Sequence, residues 1–131
     1  MREILFRGKL NQNTANHHKG DWVYGLLANQ GGRWYISDSF GNPIAYEVLP
    51  ETVGQYTGST DKNGNKIFEE DVLATPVDYL GAVMDVVKFK DGSFWRINGA
   101  RDKPYLKGAC LSKVIGNIHD NPELLDGVGN G

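Results

Sequence analysis

A single cysteine, Cys110, excludes an intramolecular disulfide framework, so this fold must rest on packing and hydrogen bonds. No apolar run approaches the roughly 20 residues that a membrane-spanning helix needs. The opening MREILFRGKL breaks its short apolar core with charges, unlike a secretory leader. Excess charge of one sign is also missing. With 14 basic and 16 acidic residues the formal charge is −2, which provides no global attraction to nucleic acid or anionic lipid. P-loop, dinucleotide-binding, GxSxG and HExxH patterns are absent, as are heptads and fixed-period repeats. These absences predict a protein of a reducing cytoplasm, with no membrane association, no cofactor, no metal and no catalytic residues.

What the chain has is glycine, 17 of 131 residues, set between short apolar runs of strand length. No long segment holds a helical period, so the predicted class is all-β. Ile4 and Phe6 alternate with Glu3, Leu5 and Arg7 in a first strand that ends at Gly8, and a polar loop follows over Asn11 to Gly20. WVYGLLA (Trp22 to Ala28) and RWYISD (Arg33 to Asp38) flank Asn29-Gln30-Gly31-Gly32, whose glycines supply the positive φ of a tight hairpin. A turn at Gly41-Asn42-Pro43 leads into Ala45 to Val48, and Pro50 ends the pairing because it has no donor. In the second half, one strand is predicted over Lys66 to Ala74. A hairpin joins Ala82 to Lys90 with Ser93 to Asn98 across Asp91-Gly92, and Cys110 to Ile118 closes the set. Asn121-Pro122 suits the start of a short C-terminal helical turn.

The domain reading has two small, closely packed β subdomains. The first covers 1–53, a turn-rich crossover with Gly54, Gly58 and Gly64 covers 54–66, and the second covers 67–125. Residues 126–131 are expected to form a disordered tail. The second subdomain, with its acidic turn before the first strand, resembles an SH3-like barrel in architecture.

Several blocks point to a lineage. They are MREILFRGK, GDWVYG (Gly20 to Gly25), PETVGQYTGSTDKNGNKIFEEDV (Pro50 to Val72), VVKFKDGSF (Val86 to Phe94) and VIGNIHDNPEL (Val114 to Leu124). In register along nearly the whole chain, they resemble the YopX family of phage and prophage proteins. The resemblance implies a small β-rich phage-encoded protein in the host cytoplasm, and it brings no catalytic residues. Glu70 stands where the family usually has Gly. If that Gly serves a positive φ, Glu70 is expected to be strained.

Candidate sites follow from residue chemistry. Asp61-Lys62-Asn63-Gly64-Asn65 has the opening of a calcium loop, yet Lys66 and Val72 occupy positions where that template needs Gly and Glu, so a turn is expected. His17-His18 is read as an exposed loop pair and Cys110 as a buried structural thiol. Glu69, Glu70 and Asp71 are read as a solvated acidic turn. Two binding readings remain. In the first, a non-enzymatic protein-interaction module uses aromatics such as Trp22, Tyr24, Trp34, Tyr35, Phe94 and Trp95 to meet an unknown phage or host protein or a second copy of itself. In the alternative, a small nucleic-acid-binding β-barrel uses Lys88, Lys90, Trp95, Arg96, Arg101, Lys103 and Tyr105 for stacking and phosphate contact. Either version predicts these side chains near one exposed face.

Overall fold

Alternation becomes strands throughout the residues that the computed structural model describes, which are 3–37, 44–76, 81–98, 102–104, 106 and 108–127. The strands are β1 (Phe6–Lys9), β2 (Trp22–Gln30), β3 (Arg33–Ser37), β4 (Ala45–Glu47), β5 (Gly54–Thr60) and β6 (Lys66–Phe68), followed by β7 (Asp71–Pro76), β8 (Ala82–Lys90), β9 (Ser93–Ile97), β10 (Lys103–Pro104) and β11 (Lys113–Asn117). Helical structure among the described residues is confined to short 3₁₀ segments at Pro50–Thr52, Ala109–Leu111 and Pro122–Gly127. The class is all-β, as expected. No helix among the described residues is long and apolar enough to cross a membrane. The chain divides into two compact units, Met1–Tyr56 and Thr57–Gly131.

In the first unit the strands lie in the order β4-β3-β2-β1-β5. The β2–β3 hairpin closes at Gln30 opposite Arg33, with Gly31 and Gly32 at φ +63° and +83°. Positive φ at both central residues is what a tight two-residue hairpin turn demands. Leu10, Val23, Ile36 and Val48 form the buried core, with Phe6, Leu27, Trp34, Tyr46 and Val53 packed on it. Gly8 does not end the first strand as expected. It lies inside β1, where a Cβ would meet the Val48 side chain at 3.1 Å, so its role is close packing. The predicted turn at Gly41-Asn42-Pro43 lies outside the described residues.

In the second unit the tail of β5 neighbours β6, and the remaining strands are ordered β10-β9-β8-β7-β11. Alternation along β7 and β8 supplies both faces of that sheet with a core. Leu73 and Val87 pack with Ile67, Leu106 and Ala109 on one face, while Val72 and Val86 pack with Met84, Ile115, Ile118 and Leu124 on the other. The Asp91-Gly92 hairpin forms as predicted, at φ +50° and +81°, with Lys90 opposite Ser93.

Several expectations need correction. Closure into an SH3-like barrel is not seen. Among the described residues the sheet order ends at β10 and β11, and β10 has only two residues, one of them Pro104, which has no N–H to extend a ladder. The turn-rich crossover over 54–66 is largely strand: β5 takes Gly54–Thr60, with Gly54 paired to Arg7, and only 61–65 turn. Gly58 and Gly64 do adopt positive φ, +88° and +82°. The single strand expected from Lys66 to Ala74 splits into β6 and β7 around Glu69-Glu70, since the Asp71 carboxylate accepts the Phe68 N–H at 2.8 Å and folds the chain back. Of the expected tail, Asp126 and Gly127 belong to the last 3₁₀ segment, and 128–131 lie outside the described residues.

Glu70 adopts φ +76°, the conformation anticipated for the glycine it replaces. Its backbone is pinned from both sides. The N–H donates to Val87 O at 2.7 Å and the carbonyl accepts from Ile118 N at 3.1 Å. A non-glycine residue held in the left-handed region costs about 1–2 kcal/mol, and neighbouring structure must over-determine it. Its ion pair with the half-exposed Lys88, at 3.4 Å, returns only a fraction of that. Glu70→Gly should therefore raise unfolding stability by up to about 1 kcal/mol, whereas Glu70→Ala keeps the strain, loses the pair and should stabilise nothing. Urea melts of the two variants check this, and E70G falling below E70A would refute it.

Candidate functional site

The signature turn is built on one carboxylate. Asp61 is 4% exposed, and its two oxygens are engaged by the chain itself. Oδ1 accepts the N–H groups of Asn63 at 2.9 Å and Asn65 at 2.8 Å. Oδ2 accepts the Val114 N–H at 2.9 Å and the Asn65 side-chain amide at 3.2 Å. Lys62 N adds a bond to Ser112 O at 2.9 Å. The turn of residues 61–65 is thus tied to the start of β11, and Asn63 and Gly64 act as backbone parts of the lock. Burial alone would raise the Asp61 carboxyl, but the hydrogen bonds from Val114, Asn65 and Asn63 outweigh it and hold it below the ordinary aspartate value.

The surface expected from Lys88, Lys90, Trp95, Arg96, Arg101, Lys103 and Tyr105 comes apart. Arg101 and Tyr105 lie outside the described residues. Lys88 sits directly opposite Trp95, so these two share a face, while Arg96 points to the other one opposite Val87. Arg96 is the correction: it is 1% exposed and belongs to the interior. Its Nε and Nη2 both donate to Asp85 Oδ2, at 3.0 and 2.6 Å, and Nη2 also reaches Thr75 Oγ1 at 2.8 Å. Thr75 Oγ1 is in turn 2.6 Å from Ser112 Oγ. Asp85 Oδ1 is buried with no hydrogen-bond partner among the described residues. Thr75, Asp85 and Ser112 escaped the sequence reading. The available signal was an Asp and an Arg, each embedded in an apolar strand, on the two arms of the Asp91-Gly92 hairpin and diagonal to one another, since Arg96 stands opposite Val87.

The remaining cations are mostly paired. Lys90 lies 4.6 Å over the Trp95 ring and 3.5 Å from Asp102, and Lys88 meets Glu70, which also lies 3.8 Å from His119 Nε2. Lys103 is paired through its backbone with Arg96 on β9. The acidic turn is not simply solvated, since Asp71 is 2% exposed. Cys110 is exposed, contrary to the buried thiol expected, because a 3₁₀ segment replaces strand over Ala109–Leu111 and turns Ala109 inward instead. His17 does not pair with His18 for a common task. Its ring stands edge-on to Tyr46 at 5.2 Å. No group of three or more His, Cys, Asp or Glu gathers into a metal centre among the described residues.

What these observations define is a small all-β chain of two open antiparallel sheets, with its signature residues used in turns and locks. The chain belongs to the YopX family: the family model described as YopX protein matches residues 4–126. Among solved structures, the chain resembles protein EF1440 from Enterococcus faecalis, at 23% identity and a TM-score of 0.51, over 95% of this chain and 99% of that one. That likeness supports the fold. No curated protein matches.

Two outcomes follow from the buried groups. A carboxyl with a depressed folded pKa contributes stability above its unfolded value, near 4, and loses it as pH falls through the folded one. Asp61→Ala should cost about 3 kcal/mol at pH 7, and that gap should narrow at pH 3 and below, as denaturant melts at both pH values will show. Removing one member of the Asp85–Arg96 pair strands the other, so Arg96→Ala should cost about 3–5 kcal/mol. The double variant Asp85→Leu with Arg96→Met should lose less than Arg96→Ala alone, and equal or greater loss would show that the pair itself is not the cause.

Proposed function

We propose that this chain is a phage- or prophage-encoded accessory protein that acts in the bacterial host cytoplasm by recognising another protein, without catalysing a reaction. The family's resemblance to phage and prophage proteins supports the origin. The observation that carries the mode of action is the engagement of cations within the chain: Lys88 with Glu70, Lys90 with Asp102, and Arg96 with Asp85. A phosphate backbone would have to displace those carboxylates, and Arg96 is out of its reach. Exposed Leu26, Ile44, Phe89 and Leu111 instead supply apolar groups of the kind that protein interfaces cover. The SH3-like likeness of the second unit extends at most to its strand spacing.

The alternative, nucleic-acid binding, draws on Trp95 and on Lys103. A salt series separates the two, because phosphate contacts make affinity fall steeply as salt rises. The pure protein should show no binding to single- or double-stranded DNA or RNA at 50 mM salt, an order-of-magnitude low-salt condition. Salt-sensitive binding that weakens in Lys103→Glu would overturn the protein-recognition reading. Light scattering in the same buffers reports whether a second copy is the partner.

A further inference from the structure

Edge strands expose backbone donors and acceptors that a protein must cover or use. In the first unit β4 is such an edge, paired with β3 on one side only within the strand order. Val48 N donates to Trp34 O at 3.0 Å, so in this antiparallel ladder Tyr46 also bonds toward β3, and Ala45 and Glu47 turn their backbone groups outward. The chain begins to fill that outer edge itself. Leu10 bridges Val48, Leu49 N donates to Lys9 O at 2.8 Å, and Asn11 N donates to Glu47 O at 3.2 Å. Past Asn11 the backbone peels away, and no hydrogen bond among the described residues reaches the outward groups of Ala45.

The place left open is a cavity of about 260 Å³. It is lined by the fully buried Leu10, by Ile44, Ala45 and Tyr46 at β4, and by loop residues that include Ala15 and the polar Gln12, Thr14 and Asn16. The loop side is tied by Thr14 N to His17 O at 2.9 Å and by His17 N to Thr14 Oγ1 at 3.0 Å, and the His17 ring abuts Tyr46. The lining holds one charge, Glu47, which is paired with Arg33 at 3.8 Å, so the slot complements an uncharged, apolar occupant.

The geometry points to strand addition: an extended segment of a partner protein, a few residues long and carrying an uncharged apolar side chain, docks along the outer edge of β4. It continues the ladder that Lys9 to Asn11 begins, donating to and accepting from Ala45, and it places that side chain over Leu10. Main-chain bonds would supply affinity and the slot specificity, as in other edge-strand recognition. The inference rests on the protein-recognition reading and names its site.

The test uses the full chain and a display library of random hexapeptides, with the selected peptides resynthesised with a fluorophore. Expected are peptides with a central apolar residue whose binding falls at least tenfold in Ala15→Trp, which fills the slot from an exposed loop position, and in Ala45→Pro, which removes the outward donor. N-methylation of alternate peptide amides should abolish binding, and circular dichroism checks that both variants remain folded. Selected peptides that bind both variants as well as the parent, or recovery of no peptide, overturn the strand-addition site. A dimer that Ala15→Trp converts to monomer also overturns it, because a second copy then occupies the edge. None of these outcomes depends on the salt-series test of nucleic-acid binding, so the site and the broader reading fail separately.

Discussion

The second unit depends on a carboxylate that has no partner of opposite charge. Asp61 is almost wholly buried, and what compensates its desolvation is a set of N–H groups that would otherwise be unsatisfied themselves. The exchange is mutual. A tight turn cannot donate its N–H groups to a ladder, and β11 begins with a donor that no neighbouring strand takes. One side chain answers both needs, and it thereby fixes where β11 enters, beside the core formed by Ile67, Leu73 and Val87 with Val114 against it. The most conspicuous stretch of the sequence is therefore an architectural device.

Charge follows the same inward logic. Arg96, Asp85, Thr75 and Ser112 form a connected polar group beneath the second sheet's apolar surface, close to Gly108, where an added Cβ would lie 3.6 Å from the guanidinium. Replacing such a pair with apolar residues is often neutral or stabilising in other proteins; here the network joins β7, β8, β9 and the segment around Ser112. On the outside, the pairing of Lys88 and Lys90 with acids flattens the electrostatic field over the β8–β9 hairpin.

How much of this was legible in the sequence depended on the range of the interaction. The hairpins at Gly31-Gly32 and Asp91-Gly92 were readable because their turn chemistry is local and few backbones other than glycine's tolerate it. Glu70's positive φ was readable through the residue it replaces. Gly8, by contrast, looks like a turn residue until Val48, forty positions away, is seen to press on it. The split between β6 and β7 draws on a hydrogen bond from Phe68 to Asp71 and on the pinned backbone of Glu70, within an acidic run that reads as solvated. Arg96 was placed outside because arginine usually is outside. The diagonal approach of Asp85 across the hairpin, with Thr75 beside it, makes its burial tolerable. The slot beside β4 left no mark in the sequence, since it arises where one segment stops pairing rather than from any residue type.

The Asp61 lock also sets an order of events during synthesis. The Val114 N–H that completes it lies 53 residues further along the chain. A ribosome adding about 5–20 residues per second leaves the carboxylate waiting several seconds for that donor. Meanwhile the β8–β9 hairpin has every local contact it needs, whereas β7 keeps one edge open until residues 113–117 arrive and pair with it. Contacts of such long sequence separation form late and slowly. The nascent second unit therefore passes through an interval in which a hydrophobic strand, Val72 to Ala74, is half-paired, and the folding of this family's signature is completed from its C-terminal side.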